Sequence, residues 1–176
     1  TTAALTGAGS SGPDSTFAGT GEGFIIRFSG ADTARGTTGL TADWFTYVGG
    51  NGEEWSTVIN ATPDKSKIVF ATSTVVGAAY PTLVNAVDSS LGAAGTTELL
   101  VGVLPEQATA PSAFSVFSYL GGSGNEGTVA AGTAIAQIVA TNAYFYVGGT
   151  TDSTLLPGAT GGAQNPNGGG TSDIFL

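Results

Sequence analysis

Short runs of β-branched and aromatic residues, each ended by a glycine-rich turn, recur along the chain, and no other feature constrains the fold so tightly. Phe24-Ile25-Ile26-Arg27-Phe28 alternates and places Phe24, Ile26 and Phe28 on one face. Trp44-Phe45-Thr46-Tyr47-Val48 follows and stops at Gly49-Gly50-Asn51-Gly52, where Asn51-Gly52 predicts a tight turn because both residues tolerate positive φ. Further runs cover Ser56–Ile59, Lys67–Ala71 after the Pro63-Asp64 turn, Leu83–Val87, Leu99–Leu104, Ala113–Leu120, Ala134–Thr141 and Ala143–Val147. Helix signals are poor, since Gly, Thr, Ser and Val are weak helix formers. Tyr80–Leu91 is the one stretch to consider, and its β-branched content argues against it. About nine or ten short strands at this spacing predict an all-β chain folded as an antiparallel β-sandwich, Ig-like or jelly-roll-like.

The expected organisation is one β-sandwich domain over residues 1–156, opened by a Gly/Ser/Thr-rich arm, 1–16, in which Leu5 is the large apolar side chain. Residues 157–170 then read as a flexible tether of Gly, Asn and Pro. The tail ends in Thr171-Ser172-Asp173-Ile174-Phe175-Leu176, an apolar, strand-like tip where termini are ordinarily polar and frayed. Tyr47-Val48-Gly49-Gly50 is echoed by Tyr146-Val147-Gly148-Gly149, 99 residues on (146 minus 47). A duplicated β unit would produce such an echo. So would chance in this composition, and chance is the reading favoured.

Composition narrows function mainly by exclusion. Charged residues are 10% of the 176, against about 25% in an ordinary domain, so the surface is neutral and rich in hydroxyls. Such a surface suits a subunit that packs against neighbours. The net charge is −9, with four bases (Arg27, Arg35, Lys65, Lys67), too few to displace counterions from DNA or RNA or to dock on anionic membranes. No apolar run approaches about 18 residues, so no membrane-inserted helix is expected. With no His and no Cys, catalytic Ser-His-Asp and Cys-His arrangements and His-ligated metal sites cannot be built from this chain. The start at Thr1-Thr2 and the lack of Met predict removal of a signal or leader peptide, and an extracellular or cell-surface location.

Few remaining patterns carry chemistry. Gly19-Thr20-Gly21-Glu22-Gly23 precedes a strand, where a dinucleotide site needs a helix N-terminus, and reads as a turn. Glu53 and Glu54 are adjacent, point to opposite faces of a strand, and are expected in a solvated loop. Asp32, Asp43, Asp64, Asp88 and Asp152 are hard oxygen donors for calcium, without an EF-hand or nonapeptide pattern to gather them, so no cofactor is expected. Asn60-Ala61-Thr62 fits a glycosylation sequon that Pro63 weakens. Trp44, Trp55, Tyr47 and Tyr144 could form a sugar-stacking platform if exposed, though aromatic residues in strands are more often core.

One stretch resembles a known family. Phe24 through Ser29 is followed by Leu40-Thr41-Ala42-Asp43-Trp44-Phe45, then Thr62-Pro63-Asp64-Lys65-Ser66-Lys67-Ile68-Val69-Phe70, then Tyr80 through Asp88. In order and type these pieces resemble the bacterial Ig-like (SbsA-type) domains of S-layer and surface proteins, over about residues 24–95. Pro81 departs from that pattern, as does Leu91-Gly92-Ala93 where the family closes with Gly-Asn, and nothing from Thr96 onward has a counterpart. The resemblance implies a structural role at a cell surface and supplies no catalytic residue.

The resulting expectation is a non-enzymatic structural subunit of an extracellular filament, pilus or surface layer, a homopolymer of identical subunits. Assembly would proceed by β-strand exchange, a terminal segment of one subunit completing the sheet of the next. Thr1 and Leu5 of the arm, or Ile174, Phe175 and Leu176 of the tail, are the candidate contacts. The tether could reach about 45 Å when extended, at about 3.3 Å per residue. Alternatively the tail folds back as an edge strand of its own domain. Two other functions compete: a secreted adhesin or carbohydrate-binding module, with a glycan as partner, and a virion coat or decoration protein.

Overall fold

A computed structural model describes residues 12–30, 41–75, 80, 83–90, 92, 96–107, 109–126, 137–156 and 173–176. Nine strands lie among them: β1 (Gly23–Ser29), β2 (Thr41–Val48), β3 (Glu54–Ala61), β4 (Lys67–Val75), β5 (Thr97–Pro105), β6 (Val116–Leu120), β7 (Gln137–Ala140), β8 (Phe145–Thr151) and β9 (Asp173–Phe175). Every named strand pair is antiparallel. The chain is therefore all-β and sandwich-like, as its apolar runs predict. Leu83–Val87 contributes one bridge to β6, at Val84, in place of a full strand, and a second follows just beyond it at Asp88.

The strands form three stacked sheets, β1-β2, β3-β4-β5-β6 and β7-β8-β9. The central meander explains the arrangement. Its strands β4 and β5 are buried almost throughout, so both faces must be covered. Ile68, Phe70, Leu100 and Leu104 point to the side where Ile25, Trp44 and Val48 of the first sheet meet them. Val69, Ala71, Leu99, Val101 and Val103 point to the other side, onto Ile138, Phe145 and Val147 of the third sheet. Each fully buried leucine here stabilises the fold by about 1.5–3 kcal/mol relative to exposure. Phe114 stacks on Phe117 with ring centroids 4.4 Å apart, and both lean on Phe70.

Three local expectations change. Phe24 and Phe28 do share a face, but it is the solvent face, and Ile25 turns inward. A bulge between Arg27 and Phe28 leaves Asp43 without an opposite residue on β1. Its carboxylate takes the Arg27 guanidinium and the Ser29 hydroxyl, and Arg27 Nε also reaches Glu106 at 2.9 Å. Asn51-Gly52 makes no hairpin, and neither residue has positive φ: the chain crosses there from the first sheet to the second. The crossing is tight, because a side chain on Gly19 would overlap the Gly52 carbonyl. Glu54 lies inside the protein at the start of β3, whereas Glu53 is exposed.

Candidate functional site

The tail candidates Ile174 and Phe175 lie on β9, with Leu176 just past its end; β9 adds to β8 as an edge strand of the same chain. Gly149 stands opposite Phe175, Thr150 opposite Ile174 and Thr151 opposite Asp173. Phe175 packs on the core beneath, while Ile174 is 86% and Leu176 93% exposed. Two of the three apolar anchors thus meet solvent. Thr1 and Leu5 lie outside the described residues.

The seat under β9 repeats one inside the molecule. In the β4-β5 pair Thr74 faces Glu98 and Thr72 faces Leu100; in the β8-β9 pair Thr151 faces Asp173 and Gly149 faces Phe175. Thr74 Oγ1 donates to the buried Glu54 at 3.0 Å, and Thr151 Oγ1 donates to the buried Glu126 at 2.7 Å. Those glutamates end matching segments, Phe45-Thr46-Tyr47-Val48-Gly49-Gly50-Asn51-Gly52-Glu53-Glu54 and Phe117-Ser118-Tyr119-Leu120-Gly121-Gly122-Ser123-Gly124-Asn125-Glu126, 72 residues apart (126 minus 54). The hydroxyl before each tyrosine does the same work. Thr46 Oγ1 lies 3.0 Å from the Asp14 amide and 3.1 Å from its carbonyl; Ser118 Oγ lies 3.1 and 3.3 Å from those of Asp88. Each aspartate then accepts the amide two residues on, from Thr16 or Ser90.

The first strands match too. Phe24 faces Tyr47 as Leu100 faces Tyr119. Residues 12–75 and 84–151 therefore each hold an edge segment, a first strand pair, a Gly-Gly crossing and a second strand pair. Thr20-Gly21-Glu22-Gly23-Phe24 and Thr96-Thr97-Glu98-Leu99-Leu100 open the two units, and Thr171-Ser172-Asp173-Ile174-Phe175 is a third version of the same opening. The 47/146 echo joins strands that are not counterparts, since β2 matches β6 and β8 matches β4. The counterparts share the pattern Tyr-x-Gly-Gly-x-Gly-x-Glu, at 47–54 and 119–126.

Each unit encloses a pair of carboxyl groups. Glu54 Oε1 accepts hydrogen bonds from Thr74 and from the Tyr80 hydroxyl. Burial pushes the Glu54 carboxyl up, and pushes the Tyr80 phenol well above its ordinary value, aided by the Glu54 charge. Glu22, in the same place relative to β1, has both oxygens buried with no hydrogen-bond partner among the described residues. Burial raises its pKa to about 7, the charges of Asp14 and Glu54 adding to the rise and the Ala18 amide opposing it. Glu98 is also raised to about 7, by burial first, against the Gly92 amide it accepts, and by the charges of Asp88 and Glu126. Glu126 accepts from Thr151, Ser153 and the Gly122 amide. Gly49 and Gly121 are required where they stand, because a methyl group on either would collide with both glutamate side chains of its pair. Glu22 and Glu98 therefore hold protons near neutrality and tie stability to pH.

The other expected residues are scattered. Trp44 and Tyr47 are buried, so they cannot join the exposed Tyr144 in a sugar platform. Asn60 lies at the surface of β3 and its side-chain amide donates to the Ile138 carbonyl at 3.0 Å. Asp64 orders its own turn through Thr62 and Ser66, and Asp152 holds Asn125. Asp32 lies outside the described residues. Among the described residues no three His, Cys, Asp or Glu side chains converge as a metal site, and no helix is long and apolar enough to cross a membrane. No family model, curated protein or solved structure matches the chain.

Proposed function

We propose that this protein is a structural subunit of an extracellular filament or surface layer that assembles with identical copies by adding strands across subunit boundaries. One observation carries the reading: β9 is a three-residue strand on a sheet edge, with Ile174 and Leu176 in solvent. An edge held by so few ladder bonds is open to exchange with a better-fitting strand. Only 10% of the residues are charged, so few long charged side chains stand in the way of close packing between copies. The resemblance to surface-layer Ig-like domains points the same way. Burial of Trp44 and Tyr47 counts against the carbohydrate-binding alternative, and no catalytic step forms part of the reading.

Electron microscopy and light scattering of the purified chain test it. Ordered filaments or sheets of the single polypeptide are the expected outcome. A monomer that persists at millimolar concentration across pH 4–8, or turnover of a substrate by the isolated protein, overturns it.

A further inference from the structure

We infer that the β8 edge is built to receive β1 of a second copy of this chain, and that β9 occupies that seat in its place; the inference rests on the reading of the protein as a self-assembling subunit. Inside the molecule, β4 of the first unit is completed by β5, the opening strand of the second. β8 is the counterpart of β4, so it calls for the opening strand of another unit. β9 supplies three residues of one, whereas β5 supplies nine. β1 is the counterpart of β5, but among the described residues it has a strand neighbour on one side only, where β5 has two. β8 thus offers a seat, and β1 has an edge with no strand on it among the described residues.

Burial agrees with the match. Phe24 and Phe28 are 52% and 51% exposed, while their counterparts Leu100 and Leu104 are 0%. Tyr146 on β8 is 50% exposed, while its counterpart Val69 is 2%. The faces agree as well. In the central sheet Ile68, Phe70, Leu100 and Leu104 share one face. Their counterparts in a joined β8-β1 sheet are Phe145, Val147, Phe24 and Phe28. Phe145 and Val147 already lie on the core of their own molecule, so Phe24 and Phe28 of the incoming copy arrive on that same core, where Phe175 now sits. Tyr146 is turned toward the incoming molecule. The internal register, Ile68 opposite Leu104 and Phe70 opposite Gly102, sets Phe145 opposite Phe28 and Val147 opposite Ile26 of the second copy. The contact is head-to-tail, so it propagates into a linear polymer unless its rotation closes a ring.

The chain contains no cysteine, which makes register directly testable. Opposed residues in an antiparallel pair lie about 4.5–5.5 Å apart, within reach of a disulfide. The double variant F28C/F145C in the full chain, assembled and then oxidised, should give a ladder of dimers, trimers and higher species on a non-reducing gel. The offset pair F28C/Y146C, which faces opposite sides of the sheet, should give at least tenfold less. F24K/F28K should fold as the wild type does, because both residues are exposed, and should lose assembly at least tenfold. Deleting 173–176 should leave assembly intact or raise it, since it empties the seat. If the wild type forms polymers that survive F24K/F28K, give no F28C/F145C ladder and disappear on deletion of 173–176, the β1 junction is wrong while the assembly reading stands. If the wild type does not polymerise, both fall.

Discussion

A carboxyl group enclosed away from solvent keeps its proton because the charged form has lost its water. Glu22 and Glu98 have pKa values of about 7 in the fold, against 4.5 for an unperturbed glutamate. The folded chain therefore binds more protons than the unfolded chain between those values, and stability must fall as pH rises through the window. The contribution is complete below about pH 4.5, is lost as pH passes about 7, and is flat above that; Glu54, raised for the same reason, acts with the same sign. Urea unfolding should give a higher midpoint at pH 5 than at pH 8. E98Q should narrow that gap and stabilise the chain at pH 8, because the amide keeps an acceptor for the Gly92 N–H and carries no charge. A midpoint that is flat or rises over this range would show that these carboxyls are solvated. None of this was legible in the sequence. Glu54 reads as half of a loop pair until Tyr80, 26 residues away, closes over it.

Strand by strand, the fold was legible where a run of apolar residues is long enough to be buried on both faces. Lys67–Ala71 became β4, lengthened at its C-terminal end, and Leu99–Leu104 became β5, lengthened at both ends. Orientation was less legible. Alternation in Phe24–Phe28 says which residues share a face, but which face turns inward is decided by the sheet it meets, and that sheet comes from elsewhere in the chain. The Phe70-Gly102 pair shows how closely the partners are fitted. A methyl group at Gly102 would overlap the Phe70 ring, so the bare backbone of β5 is what lets the ring lie across it. G102A should cost about 1–3 kcal/mol by overpacking. Adding F70L should return part of that loss, since the smaller side chain vacates the space. Equilibrium unfolding of both variants measures the coupling, and a G102A chain within 0.5 kcal/mol of wild type, by the usual scatter of neutral changes, would mean that the ring simply moves aside.

At the scale of the molecule, two units stacked through a shared sheet behave as a short repeat array, in which each unit contacts only its neighbours. The sequence carries that repeat weakly. Tyr47-Val48-Gly49-Gly50-Asn51-Gly52 and Tyr119-Leu120-Gly121-Gly122-Ser123-Gly124 match in backbone-determining positions, whereas the strands around them diverge, since Gly102 stands where β1 has Ile26 and Gly148-Gly149 where β4 has Ala71-Thr72. Packing fixes volumes jointly across a pair of strands, so large and small residues trade sides and erase the likeness. What survives is the chemistry with one solution: the acid behind its glycine and the hydroxyl that clasps an aspartate. If the units are equivalent in this sense, the block from Val75 to Thr151 can be written twice in tandem without a clash of register. The second copy's opening strand would take the β8 edge that β9 now covers, and β9 would move to the new end. Such a chain should unfold in one cooperative step with an m-value in urea larger by roughly two-fifths, because the slope follows the surface exposed on unfolding. It should also resist limited proteolysis along the inserted block. A separate transition at low urea, or trimming back to a fragment the size of the original chain, would show that β8 cannot accept a whole unit and that the likeness between β9 and β5 ends at three residues.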